Sequence, residues 1–226
     1  MKTAKTVSLA LLALVALGGA AGAATITSIS DTPPPVDGQD IANLVPATGS
    51  DLIWGDRPCL GQTFTTGSEG GILNAITVLI QENDGEILGW KDYLIRVGTV
   101  TLGNPNTINV QVYETARQDL DVPSPRYYTF TLDSPLPLLP NTLYGFDVGL
   151  QGSQEGWQDG IPAVARSGDE FAGGQRYTTA KMPNPGTNVN LASGDLVFHL
   201  DIVPEPATLG LLATGGLAML LRRRRS

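Results

Sequence analysis

The chain has 226 residues, of which 42% are hydrophobic and 16% charged, and its formal net charge is −8. Six of its 14 Lys and Arg lie near the two ends, at Lys2, Lys5 and 222–225, whereas 21 of its 22 Asp and Glu lie within 24–203. That body therefore has 8 basic and 21 acidic side chains, a net charge near −13. Such an acidic surface repels phosphate groups, which disfavours nucleic acid and anionic lipid as partners.

The N-terminus predicts a secretory signal peptide over residues 1–23. Lys2 and Lys5 precede the apolar run Val7–Leu17, which is too short for a stable membrane span. The run leads to Ala21 and Ala23 of an A-x-A pattern, so we expect signal peptidase to cut after Ala23. The chain is thus predicted to be exported.

Residues 24–60 are predicted to be a proline-rich leader that includes a first strand region. Three consecutive prolines at 33–35 forbid regular structure there. Cys59 is the one cysteine of the chain and cannot form an internal disulfide. We expect it to be a small buried hydrophobe near a strand.

Residues 61–202 show a period-two alternation of apolar and polar side chains in seven segments, separated by Gly, Pro, Asn and Asp. This pattern predicts an antiparallel sheet protein with one buried face. The predicted strands are 62–66, 72–80, 91–97, 106–113, 126–132, 142–149 and 195–202.

Several of these strands carry specific predictions about their faces. In the second, Ile76, Val78 and Ile80 are expected to share one face. In the third, Tyr93, Ile95 and Val97 are expected to point inward, with Lys91, Asp92 and Arg96 on the other face. In the fourth, Ile108, Val110 and Val112 are expected to share the inner face.

A single sheet of this size would leave its apolar face in water, so we predict two stacked sheets in an all-β antiparallel β-sandwich. The phrases at Gly61–Thr65 and Pro140–Tyr144 resemble the jelly-roll sandwiches of bacterial surface proteins and carbohydrate-binding modules. That resemblance implies a jelly-roll arrangement of the strands.

The sequence assigns no catalytic residue, and we expect the protein not to be an enzyme. His199 is the only histidine, and no G-x-S-x-G motif occurs, so neither a nucleophile triad nor a zinc ligand set is indicated. A hydrogen-bonded or solvated strand histidine is the expected role. Hydrolysis of polysaccharide by paired carboxylates is a lesser alternative, because it needs two carboxyls held roughly 5 to 9.5 Å apart.

Carbohydrate binding is the main alternative to a purely structural role. Trp54, Trp90 and Trp157 fall in Gly- and Asp-rich connections, where exposed indoles could stack on sugar rings. The competing interpretation is that each tryptophan closes an end of the sandwich.

Calcium is the cofactor that would accompany such binding, although none is required by the main hypothesis. Oxygen ligands for this hard cation are offered by Glu82, Asp84 and Glu86, and by the pair Asp169 and Glu170. The first group lies in a segment whose Asn-Asp-Gly also predicts an ordinary turn.

The C-terminal residues Val203–Ser226 have three zones. Pro204, Glu205 and Pro206 are followed by fifteen residues without a charge, 207–221, and then by four arginines, Arg222, Arg223, Arg224 and Arg225. The prolines keep the backbone extended, and the apolar run predicts a short transmembrane helix whose arginines stay in the cytoplasm.

This order and spacing resemble the PEP-CTERM sorting signal of bacteria. The resemblance implies recognition by exosortase, a membrane-embedded, cysteine-dependent processing enzyme, with Glu205 as the carboxylate that the enzyme reads. The protein would be anchored transiently in the cytoplasmic membrane and would then reach the cell surface or matrix. We therefore predict an exported protein with a structural or adhesive role in the exopolysaccharide layer, with a calcium-dependent, lectin-like module as the alternative.

Overall fold

β-branched and aromatic residues, interrupted by short turns rich in Gly, Pro and Asn, produce an all-β fold. The structure is a computed structural model that describes residues 23–53, 57–81, 86–151, 162–181 and 185–205. These residues form sixteen strands: β1 (Thr25–Ser30), β2 (Ile41–Asn43), β3 (Gly49–Leu52), β4 (Pro58–Thr65), β5 (Gly71–Gln81), β6 (Glu86–Ile87), β7 (Lys91–Thr101), β8 (Asn106–Gln118), β9 (Val122–Pro123), β10 (Arg126–Leu138), β11 (Leu143–Gln151), β12 (Ala163–Ser167), β13 (Arg176–Lys181), β14 (Asn188–Leu191), β15 (Asp195–Leu196) and β16 (Phe198–Val203).

Each of the seven predicted strand segments coincides with strand in the structure. The last segment is divided at Val197, and several strands extend further than predicted, such as β10. The segment predicted as leader contributes β1, β2 and β3, which pair with β10, β16 and β12. Within the described ranges no helix has the length and hydropathy needed to cross a membrane; the predicted helix 207–221 lies outside them.

The strands form two large antiparallel sheets, and β6 and β9 form a separate two-stranded pair. The first closes into a barrel in the order β11-β4-β13-β14-β8-β7. In the second, β5 is central: β10 pairs along one side of it, and β16 and β12 share the other side. The prediction of two packed sheets is confirmed, whereas the jelly-roll arrangement stays a prediction.

The main core lies between the two sheets and is rich in aromatic rings. Phe146 of the barrel packs on Phe198 of the second sheet with ring centroids 5.3 Å apart. Tyr93 packs in the same way on Phe130, at 5.5 Å. The predicted inward faces of β5 and β7 are fully buried here: Ile76, Val78, Ile80, Tyr93, Ile95 and Val97.

The barrel has a second, smaller interior, so β4, β7 and β11 are buried on both faces along most of their length. Tyr177 of β13 fills much of this interior, and its ring lies so close to Gly61 that a Cβ atom built there would be 2.3 Å from it. The prediction that Lys91 and Arg96 face outward is wrong, since each is only 3% exposed. For Arg96, the closed barrel removes the solvated face that simple alternation implies, whereas the Lys91 ammonium donates to the Leu88 carbonyl.

A β-bulge corrects the prediction for the fourth segment. Val112 pairs with Val97, but Val110 pairs with Gly98, so β8 has one extra residue at this point. Such a bulge shifts the following side chains to the other face. Val112 therefore packs in the main core, whereas Ile108 and Val110 pack inside the barrel with Tyr177.

Candidate functional site

The C-terminal segment leaves the fold at the end of β16, with no linker between strand and motif. Val203 still pairs with Ile72, at the start of the central strand β5. Pro204 and Glu205 follow at once and are exposed. Because proline has no backbone N–H, it cannot continue a ladder of hydrogen bonds. The sequence therefore presents the start of the motif outside the sheet.

Asp40 fixes this end of β16. Its Oδ1 accepts a hydrogen bond from the Ile202 backbone N–H at 2.9 Å, and its Oδ2 accepts one from the Asp37 N–H at 3.0 Å. The same Oδ2 lies 3.0 Å from Nε2 of His199, and both side chains are about 95% buried. The prediction of a hydrogen-bonded strand histidine is confirmed. This arrangement gives the motif a rigid base.

Only one residue of the predicted signal-peptide cleavage site can be placed. Ala21 lies outside the described residues, and Ala23 is exposed at their start. Ala24 is already 6% exposed and packs in the main core, immediately before β1. Cleavage after Ala23 would therefore leave the folded body intact.

A buried ion pair occupies the barrel interior. Arg96 of β7 donates from Nε to Asp147 Oδ1 and from Nη2 to Asp147 Oδ2, both at 2.8 Å. Its remaining N–H groups reach the carbonyls of Pro185 and Gly186 and the hydroxyl of Thr179. Every donor of the guanidinium thus has an acceptor, which makes burial of its charge tolerable.

The environment of this pair opposes reactivity. Burial raises the pKa of Asp147, against the lowering effect of Arg96 and of the Tyr177 hydroxyl, which donates to it at 3.2 Å. Burial and the nearby Asp147 charge raise the pKa of Cys59 to about 12. A reactive thiol needs a lowered pKa and access to solvent, so these groups are suited to holding the barrel together. The prediction that Cys59 is buried is confirmed.

Of the three tryptophans predicted to stack on sugar rings, only Trp90 lies among the described residues. Trp90 is 38% exposed, and the Arg117 guanidinium lies 4.6 Å from its ring centroid. Trp54 and Trp157 lie outside the described residues. The platform of three indoles therefore stays a prediction.

The predicted calcium ligands are also only partly within the described residues. Glu82 and Asp84 lie outside the described residues, and Glu86 belongs to β6. Asp169 accepts a hydrogen bond from the Gly194 N–H, and the Glu170 N–H donates to Asp195. Across the described part of the chain, no three His, Cys, Asp or Glu side chains are grouped as a metal site would require.

Sequence reasoning missed two features that position the site. Asp40 has no motif around it, because its role depends on a strand that follows 160 residues later, roughly the whole length of the body. Arg96 looked like an ordinary polar residue of an alternating strand. Its directly cross-strand partner, Asp147, could have been found only with the register of β7 and β11 known.

The fold and its exit segment define an all-β protein of two packed sheets that presents a C-terminal processing segment outside the last strand. Residues 203–225 match the family model of the PEP-CTERM protein-sorting motif. The resemblance is thereby confirmed, and the chain is an exported protein of the kind that exosortase sorts, with its sorting signal close to the membrane. No curated protein and no solved structure matches the chain.

Proposed function

We propose that this protein is a non-enzymatic structural or adhesive component of the exopolysaccharide layer. Signal peptidase would remove residues 1–23, helix 207–221 would hold the chain transiently in the cytoplasmic membrane, and exosortase would then process it for the cell surface or matrix. The observation that carries this proposal is the PEP-CTERM motif, which begins at the last residue of β16. The body would be a β-sandwich of jelly-roll type.

The rest of the structure supports a rigid, soluble body. The satisfied Arg96–Asp147 pair closes the barrel, and the net charge near −13 of residues 24–203 keeps copies apart. A matrix component benefits from both properties, because it must persist outside the cell without precipitating.

Deletion of the chain in its source bacterium tests this role. We expect cells to retain less exopolysaccharide, and we expect the full chain, but not a chain lacking 203–226, to restore retention. The polysaccharide itself should keep its length and composition. Unchanged retention after deletion would contradict the proposal, and longer polysaccharide chains after deletion would indicate a hydrolase.

Carbohydrate binding, with or without calcium, is the second candidate, and the exposure of Trp90 favours it. Binding of the purified protein to the extracellular polysaccharide should then be saturable and should fall in the Trp90→Ala variant. Tyr113→Ala is the matched control, because Tyr113 is equally exposed, at 39% against 38%. Loss of binding on chelation would add calcium to the site, and no binding by the folded wild-type protein would exclude this candidate.

A further inference from the structure

The end of the body at which the sorting motif leaves differs from the rest of its surface. The pairs Leu143 with Thr65, Leu138 with Gly71 and Val203 with Ile72 place the loops between their strands at one end. We call this the exit end, and it comprises the loops 66–70, 102–105, 139–142 and 172–175 together with Leu191 and Val203. One defined set of loops therefore lies at the end of the body where β16 stops.

The exit end is apolar at its tips. Among the described residues eight large hydrophobic side chains are exposed, and four of them are here: Leu102, Leu139, Leu191 and Val203, at 59%, 63%, 38% and 37% exposure. Leu102 and Leu191 line one groove with Leu143. A cluster of exposed leucines on one end of an acidic protein indicates a surface that meets an apolar partner.

The same loops are almost free of charge. Glu69 is the one charged residue in 66–70, 102–105, 139–142 and 172–175. Asp37 and Glu205 are nevertheless exposed beside these loops, because the Asp40 carboxylate accepts from both the Asp37 and the Ile202 N–H. Docking therefore relies on the apolar tips, and the repulsion between these acids and an anionic membrane acts only within about 8 to 10 Å of the surface at physiological salt.

The loop that presents Leu139 is held in place by the fold. The Leu139 N–H donates to the Tyr144 hydroxyl at 3.0 Å, and the Leu139 carbonyl accepts from the Thr66 hydroxyl at 2.6 Å. That hydroxyl also accepts from the Thr142 N–H at 2.9 Å. The backbone is thus fixed while the side chain stays exposed, so no ordering of the loop is needed for contact.

Chain length leaves the exit end little freedom. Val203 is four residues before Ala207, where the apolar run begins, so the two lie at most about 14 Å apart in a fully extended chain. The headgroup region of one leaflet is itself roughly 5 to 8 Å thick. A body tethered so closely meets the interface at high effective concentration, and weak apolar contacts then suffice.

We propose that the exit end docks on the outer surface of the cytoplasmic membrane before processing, with Leu102 and Leu139 inserted at the headgroup boundary. This inference rests on the proposed membrane-anchored stage. Docking would hold Pro204, Glu205 and Pro206 at the level of the interface, where a membrane-embedded enzyme can reach them.

The test uses the chain from residue 24 to 226 in vesicles of phosphatidylethanolamine and phosphatidylglycerol. Single variants Leu102→Cys and Leu139→Cys carry an environment-sensitive fluorophore, and Leu120→Cys at the opposite end is the matched control, since Leu120 is 70% exposed. Cys59 is fully buried and should not be labelled. We expect blue-shifted emission and quenching by nitroxide lipids at 102 and 139, but not at 120.

Each other outcome overturns the inference in a distinct way. If the chain floats with the vesicles but all three probes remain in water, docking is wrong and the anchored stage stands. Quenching at all three positions would show that the body has no preferred face toward the membrane. If the chain does not float at all, the anchored stage fails and docking fails with it.

A second measurement separates lipid from enzyme as the partner. The double variant Leu102→Asp, Leu139→Asp should weaken probe quenching from a label at Thr142→Cys and slow processing in cells, whereas Leu120→Asp should do neither. Slower processing with probes that remain in water would assign the exit end to exosortase and would overturn docking on lipid.

Discussion

The Arg96–Asp147 pair is a buried ion pair in the barrel interior. A buried ion pair is costly to form, because both charges lose their hydration. Here the cost is offset by bidentate geometry at 2.8 Å and by backbone acceptors from the segment between β13 and β14. Arg96 therefore joins three parts of the barrel: β7, β11 and the residues that precede β14.

Arg96→Met should destabilise the protein strongly. It leaves Asp147 buried without its partner and frees the carbonyls of Pro185 and Gly186, and removal of one member of a buried pair costs about 3 to 5 kcal/mol. Arg117→Met is the control, because Arg117 is about half exposed in its pair with Asp119 and exposed ion pairs contribute little to stability. Urea unfolding measures both; equal effects of the two variants would contradict this account.

The Cys59 thiol should be inert in the folded protein. Its pKa is raised to about 12 by burial and by Asp147, so neither access nor ionisation favours reaction at pH 8. A thiol reagent should modify it only when the protein is unfolded in denaturant. Rapid modification of the native protein, with its circular dichroism unchanged, would show that the barrel interior opens.

Stability should fall at alkaline pH. Burial raises the pKa of Cys59 and of the hydroxyls of Tyr93 and Tyr177 in the folded state, so the unfolded chain releases these protons first. The unfolded state then binds fewer protons than the folded state, and the free energy of unfolding decreases as pH rises above about 9. Urea midpoints measured between pH 8 and 11 check this; a constant midpoint would contradict it.

At the scale of elements, β16 connects the body to its sorting signal, and Asp40 holds its end. The carboxylate accepts from Ile202 and meets His199, so its loss leaves buried polar groups without partners. Asp40→Ala should therefore cost about 1 to 3 kcal/mol and speed hydrogen exchange at the Ile202 amide. Asp37→Ala, which keeps its backbone contact to position 40, should change neither; normal exchange at Ile202 in Asp40→Ala would refute this role.

The strands were predictable because their apolar alternation is local information. What alternation does not give is whether the polar face meets water or the inside of a barrel, as Arg96 shows. Nor does it reveal the extra residue in β8 that moves Ile108 away from Val112. Both depend on register between distant strands, which is set by packing.

The candidate site was likewise predictable from the sequence only in part. The PEP-CTERM signal is a contiguous stretch, so it could be recognised residue by residue, and its match to the family model is confirmed. Asp40 and the exposed leucines of the exit end are scattered along the sequence. Only the fold brings them to the end of the body where Val203 lies. Their composition, a lone carboxylate and single leucines in turns, has no sequence signature.

At the scale of the whole molecule, charge and apolar surface are distributed to suit two environments. The acidic body suits a place outside the cell, while the exposed leucines of the exit end suit the membrane contact proposed above. In the proposed sequence of events, the N-terminal signal serves export, and the C-terminal signal serves anchoring and processing. The absence of a linker between β16 and the motif makes the body itself part of what the processing enzyme encounters.

The most direct test of the sorting claim is the intact mass of the protein recovered from the extracellular fraction of its source bacterium. The account predicts a mature chain that starts at Ala24 and lacks the arginines 222–225. Cells without exosortase should instead retain the unprocessed C-terminus in the membrane fraction. Recovery of the extracellular protein with Arg222–Arg225 still attached would contradict the account.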